Sequence, residues 1–87
     1  MTYLWQEERG KIFYKVQTDD RDIAKKLKRR IGFKLSAFAI NGNLTGGKAS
    51  LWIFSCEFTR PDIAKKTLKS ITGKSEKIDS EGVFIYE

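Results

Sequence analysis

The chain reads as one α+β domain in which strands and helices alternate as β-α-β-β-α-β. Three observations lead there. The string Asp22-Ile23-Ala24-Lys25-Lys26 recurs forty residues later as Asp62-Ile63-Ala64-Lys65-Lys66. Each copy opens an amphipathic stretch that a glycine closes. A strand-like segment rich in aromatic and branched residues precedes each copy.

The elements follow in order. Tyr3-Leu4-Trp5, turned by Glu7 to Gly10, is expected to add a hairpin strand at the front. Ile12 to Gln17 alternates as a strand. Asp19 and Thr59 each stand three residues before the aspartate of their repeat copy, an N-cap with a carboxylate at the third helical position. Pro61 falls in the first helical turn, where its missing N–H does no harm. Apolar residues then recur at helical spacing, Ile23, Leu27 and Ile31 in one copy and Ile63, Thr67 and Ile71 in the other. Gly32 and Gly73 are the stops. Leu35 to Ile40 reads as a strand, residues 41–47 as a hairpin loop, Leu51 to Phe58 as a strand, and Val83 to Tyr86 as the last strand.

Matching halves in this order make a ferredoxin-like plan, an antiparallel sheet covered on one face by two helices with a pseudo-two-fold between the halves. A five-stranded variant with another strand order is the structural alternative. Sliding the halves by forty places Tyr14 on Phe54, Val16 on Cys56 and Ile12 on Trp52, and strand side chains alternate. The expected core is therefore Ile12, Tyr14, Val16, Trp52, Phe54 and Cys56 beneath Ile23, Leu27, Ile31, Ile63 and Ile71. Phe13, Lys15, Gln17, Leu51, Ile53, Ser55 and Glu57 fall on the open face.

Composition narrows the function. The 87 residues carry 17 Lys and Arg, 11 Asp and Glu, one cysteine and no histidine. That is the size of a single domain, residues 1–87. Without histidine, Ser-His and Cys-His catalysis and the usual metal ligand are excluded, so no catalytic residue, metal, cofactor or small-molecule substrate is assigned. Glu7-Glu8 and Asp19-Asp20 are carboxylate pairs of turn and cap type. No apolar run approaches the ~20 residues of a membrane span, and no signal sequence is expected. A lone Cys56, expected to be buried, fits a reducing cytoplasm. The string from Gly42 to Lys48 lacks phosphate-loop spacing and leads into a strand.

The whole net charge of +6 sits in residues 21–34, where Arg21, Lys25, Lys26, Lys28, Arg29, Arg30 and Lys34 face a single acid, Asp22. A field so concentrated attracts a polyanion. The nucleic-acid site expected here is Arg21, Lys25, Lys28, Arg29, Arg30 and Lys34. Lys65 and Lys69 of the second helix are expected to join it if the two helices lie side by side. Its phosphate contacts would not read sequence. The rival expectation is a protein-binding inhibitor or adaptor, of the size and class of phage and mobile-element modulators. It would act through the basic surface or through an apolar patch of Phe13, Leu51 and Ile53 that could also join two copies into a homodimer. Lys48 to Phe54 partly resembles the aromatic string of RNA-recognition motifs, but it lacks that string's glycine and first aromatic. The inward turn of Trp52 would leave Phe13 as a lone aromatic on the open face.

Overall fold

The structure, a computed structural model, describes residues 1–40 and 49–87. The hairpin loop expected at 41–47 and the glycine-rich string up to Lys48 lie outside the described residues. The elements are β1 (Thr2–Gln6), β2 (Phe13–Thr18), α1 (Arg21–Arg29), β3 (Lys34–Ile40), β4 (Ala49–Glu57), α2 (Pro61–Thr72), β5 (Glu76–Ile78) and β6 (Phe84–Tyr86). They build an α+β fold with one six-stranded antiparallel open sheet in the order β3-β4-β2-β1-β6-β5. Two helices lie on one face, consistent with a ferredoxin-like type of fold.

The sheet differs from a four-stranded plan on one side. The N-terminal strand β1 pairs with β2 along its whole length, Leu4 opposite Val16, in the place a closing strand would take. The closing strand β6 pairs with the far side of β1. The short strand β5, absent from the sequence reading, then forms a hairpin with β6.

Each helix starts where its backbone can be satisfied. The Asp20 carboxylate accepts from the N–H groups of Asp22 at 2.8 Å and Ile23 at 3.3 Å. The cap is thus Asp20 and not Asp19, which instead accepts from the Met1 amine at 2.7 Å. The cap of α2 is Arg60 and not Thr59. It makes no side-chain capping bond, and Pro61 removes one of the donors that would need it. Gly73 ends α2 with φ of 69°, a left-handed conformation that glycine adopts without a Cβ clash.

The faces assigned by alternation are those observed for Tyr14, Val16, Trp52, Phe54 and Cys56, which are buried beneath the helices. Three other residues expected in the core are exposed. Ile12 precedes β2, and Phe58 packs edge-on against Tyr14 in its stead, ring centroids 5.6 Å apart. Ile31 is fully exposed because α1 stops at Arg29 and the chain is already extended at Arg30. Phe33 makes the apolar contact instead, edge-on to Phe58. Ile63 is exposed because α2 presents Ala64, Leu68 and Ile71 inward. The paired alanines Ala24 and Ala64 let both helices approach the sheet closely. α1 packs over β2 and β4, and α2 over β1 and β6.

The cap assignment has a direct test. Asp20→Ala should destabilise the fold by about 1 kcal/mol, as loss of an N-cap does. Asp19→Ala should cost less, because its partner is an exposed amine. Urea unfolding of the two variants side by side checks this, and the reverse order would return the cap to Asp19.

Candidate nucleic-acid interface

α1 is nine residues long, and Ile23, Ala24 and Leu27 form its buried stripe. At 100° per residue the other positions must face outward or sideways, and Arg21, Lys25, Lys26, Lys28, Arg29 and Arg30 are all exposed. Lys26, Lys28 and Arg29 stand in the last turn, where cations complement the helix dipole. Local helix energetics thus tolerate the cluster that its own repulsion opposes.

Among the described residues no carboxylate forms an ion pair with it. The ion pairs among the described residues join Met1 to Asp19, Lys15 to Glu7, Arg60 to Asp62 and Lys77 to Glu87, and none reaches α1. The carboxylate pairs noted in the sequence are accounted for in part by these contacts, since Glu7 faces Lys15, Asp19 the Met1 amine, and Asp20 caps the helix.

The structure divides the expected site. Lys26, Arg29 and Arg30 line an open groove of about 380 Å³ between the helices, completed by Ser70 and Ile71 of α2. The Lys26 ammonium donates to the Ile71 carbonyl at 3.4 Å. Lys26 was absent from the expected site because its position beside the core stripe hides the groove that only the docking of α2 creates. At 100° per residue Arg21 and Lys28 fall on the opposite flank of α1, and Lys25 projects outward between the two sets.

Lys34 leaves the cluster. It pairs in register with Ser55 on the open face of the sheet, opposite the helices. Lys65 and Lys69 do not merge with α1 either. They line a depression on the far flank of α2 together with Asp62 and Glu76, and the Lys65 ammonium lies over the Phe84 ring at 5.3 Å. The reason is rotational: the flank of α2 that meets α1 is the one bearing Ser70 and Ile71, which turns these lysines toward β5 and β6.

On the open face Phe13 is exposed and Leu51 and Ile53 are half-buried. The N-terminal segment does not fold over them. It joins the sheet as β1 and places Tyr3 opposite Gln17 and Trp5 opposite Lys15, so Phe13 shares its face with two further aromatics. Their side-chain alternation was readable in the sequence, but the position of β1 beside β2 was not. Lys15 donates to Ser55 at 2.9 Å across the centre of this face.

Cys56 is buried on the other side, its thiol 3.6 Å from the Tyr14 carbonyl. Burial pushes the thiol up to about 12, with Lys15 opposing part of the shift. Burial also raises the Tyr14 and Tyr86 hydroxyls, the latter donating to the Lys65 carbonyl. No helix among the described residues is long and apolar enough to cross a membrane. Comparison with protein-family models, curated proteins and solved structures finds no match.

The buried thiol yields a pH prediction. The unfolded chain releases the Cys56 proton near pH 9 while the folded chain retains it to about 12. Stability from this group is therefore complete below pH 9 and is lost as the pH rises toward 12. The urea midpoint should fall across that window, and Cys56→Ala should make the fall shallower. An unchanged midpoint in the wild type, or prompt labelling of the native thiol at neutral pH, would contradict the buried placement.

Proposed function

We propose that the protein binds nucleic acid through phosphate contacts made by α1. The observation that carries this reading is that Arg21, Lys25, Lys26, Lys28, Arg29 and Arg30 are exposed around α1 and no described carboxylate is paired to them. Like charges at this density repel one another, and a polyanion relieves the repulsion while releasing its own counterions. Lys65 and Lys69, set beside Asp62 and Glu76, contribute less to such a field. The chain acts in this reading as a binding protein and not as an enzyme, and the lone cysteine and absent histidine fit a cytoplasmic role of that kind. The two β-α units read as duplicates of one another. Their helices start at Arg21 and Pro61, and Lys15 and Ser55, forty apart, sit directly opposite each other between β2 and β4.

A second reading rests on the other side of the sheet. Tyr3, Trp5, Phe13, Leu51 and Ile53 give the open face a band of apolar surface that no described element covers, the kind of surface that marks a protein interface. A homodimer or a partner protein would occupy it, as an inhibitor or adaptor requires.

Salt titration separates the two. Four phosphate contacts imply a logarithmic salt slope of about −3 to −4. Replacing Lys25, Lys28 and Arg29 together by glutamine should flatten it by about two to three units, equally for unrelated sequences. Surface changes of this kind should alter stability by only about 0.5 kcal/mol each. Binding absent at low salt, or unchanged by the triple substitution, would overturn the phosphate reading.

For the open face, Phe13→Glu with Ile53→Glu should abolish self-association or partner capture and leave the fold intact. A monomer at high concentration that captures no partner would remove the second reading.

A further inference from the structure

The edge strand β3 carries a surface that simple alternation conceals. Leu35 pairs with Phe54 and Phe38 with Trp52, so both lie on the helix-bearing face of the sheet. Residues three apart cannot share a face in a regular strand. A register shift between Leu35 and Ala37 supplies the extra residue, Ser36, whose hydroxyl donates to the Ile53 carbonyl at 3.1 Å. The cross-strand partners Phe54 and Trp52 are buried, yet Leu35 is 40% and Phe38 57% exposed, because α1 packs chiefly over β4 and β2.

The wall beside this floor is cationic. Lys26, Arg29 and Arg30 line the groove toward α2, and at 100° per residue Arg21 and Lys28 fall on the other flank of α1, the side toward β3, with Lys25 projecting outward beside them. The result is a gutter with an apolar, aromatic floor and one wall of cations to which no described carboxylate is paired. Its far side is the open edge of the sheet.

We propose that this gutter binds single-stranded nucleic acid, with bases against Phe38 and Leu35 and phosphates along Arg21, Lys25 and Lys28. The inference rests on the reading of α1 as a phosphate-binding helix and adds which form of nucleic acid it takes. A single strand can offer both its bases and its backbone to such a surface, whereas a duplex keeps its base faces stacked internally and can use only the wall.

The test compares a short mixed-sequence single strand with a blunt duplex of the same sequence, by anisotropy at low salt. The single strand should bind at least about tenfold tighter, and Phe38→Ala should weaken it by about five- to a hundredfold, the span of one lost base stack. The salt slope of that variant should stay at the wild-type value, since no phosphate contact is lost. Phe38→Trp should retain binding, and a thermal melt of each variant checks the fold. Equal binding of single strand and duplex, unaffected by Phe38→Ala, would overturn the gutter and leave the phosphate reading of α1 standing. Binding of neither form would overturn that reading first. A dimer in sedimentation that Phe38→Ala dissolves, with single-strand affinity unchanged, would show a second copy in the gutter and also overturn the proposal.

Discussion

An α-helix is about 10 Å across and neighbouring strands lie about 4.8 Å apart, so one helix covers two strands. Two helices therefore cover four, and this sheet has six. The mismatch shapes the molecule. α1 and α2 take the four inner strands, and Ala24 and Ala64 seat them close enough to seal Tyr14, Phe54 and Leu68. The outer strands β3 and β5 are left bare on the helix side, where Leu35, Phe38 and Ile78 remain exposed although their neighbours toward the centre are wholly or partly buried. The opposite face has no covering layer among the described residues. Surface that a larger chain would bury stays available for contact with something else.

The repeated string shows how far context governs charge. Asp-Ile-Ala-Lys-Lys opens both helices, yet the two surfaces differ. In α2 the lysines stand near Asp62 and Glu76, and one of them rests on an aromatic ring. In α1 the acids Asp20 and Asp22 are confined to the start, one as the cap, and the cations accumulate toward the end. The dipole favours that polarity in both helices, but only α1 adds Lys28 and Arg29, with Arg30 at its cap, and so carries the larger excess of cations.

Much of this was readable from residues alone where the signal is local. Pro61 and the carboxylates near Asp20 placed the helix starts to within a residue, and alternation put Tyr14 and Val16, Trp52, Phe54 and Cys56 on the buried face. Signals failed where tertiary geometry decides. Ile31 sits at helical spacing from Leu27, but the chain must turn before Phe33 can reach Phe58. Ile63 and Ala64 are adjacent, and hydrophobicity favours the isoleucine while close helix–sheet approach selects the alanine. A strand of three residues such as Glu76–Ile78 spans too little chain to show a period. Nothing local tells β1 to lie between β2 and β6. Of the site, the residue types of α1 were legible, and the division of its two flanks was not, because that depends on which side α2 occupies.

The extra residue at Ser36 has a consequence for how copies of the chain meet one another. β3 is one of the two outermost strands of the sheet, and an outermost strand offers its free N–H and C=O groups to any other extended chain. A regular strand would present them in even step. Here the insertion twists the ladder out of step, and Lys34 holds a charge at its beginning. An incoming strand would meet mismatched donors and acceptors there. The same local irregularity that turns Phe38 onto the helix-bearing face thus works against edge-to-edge pairing along β3.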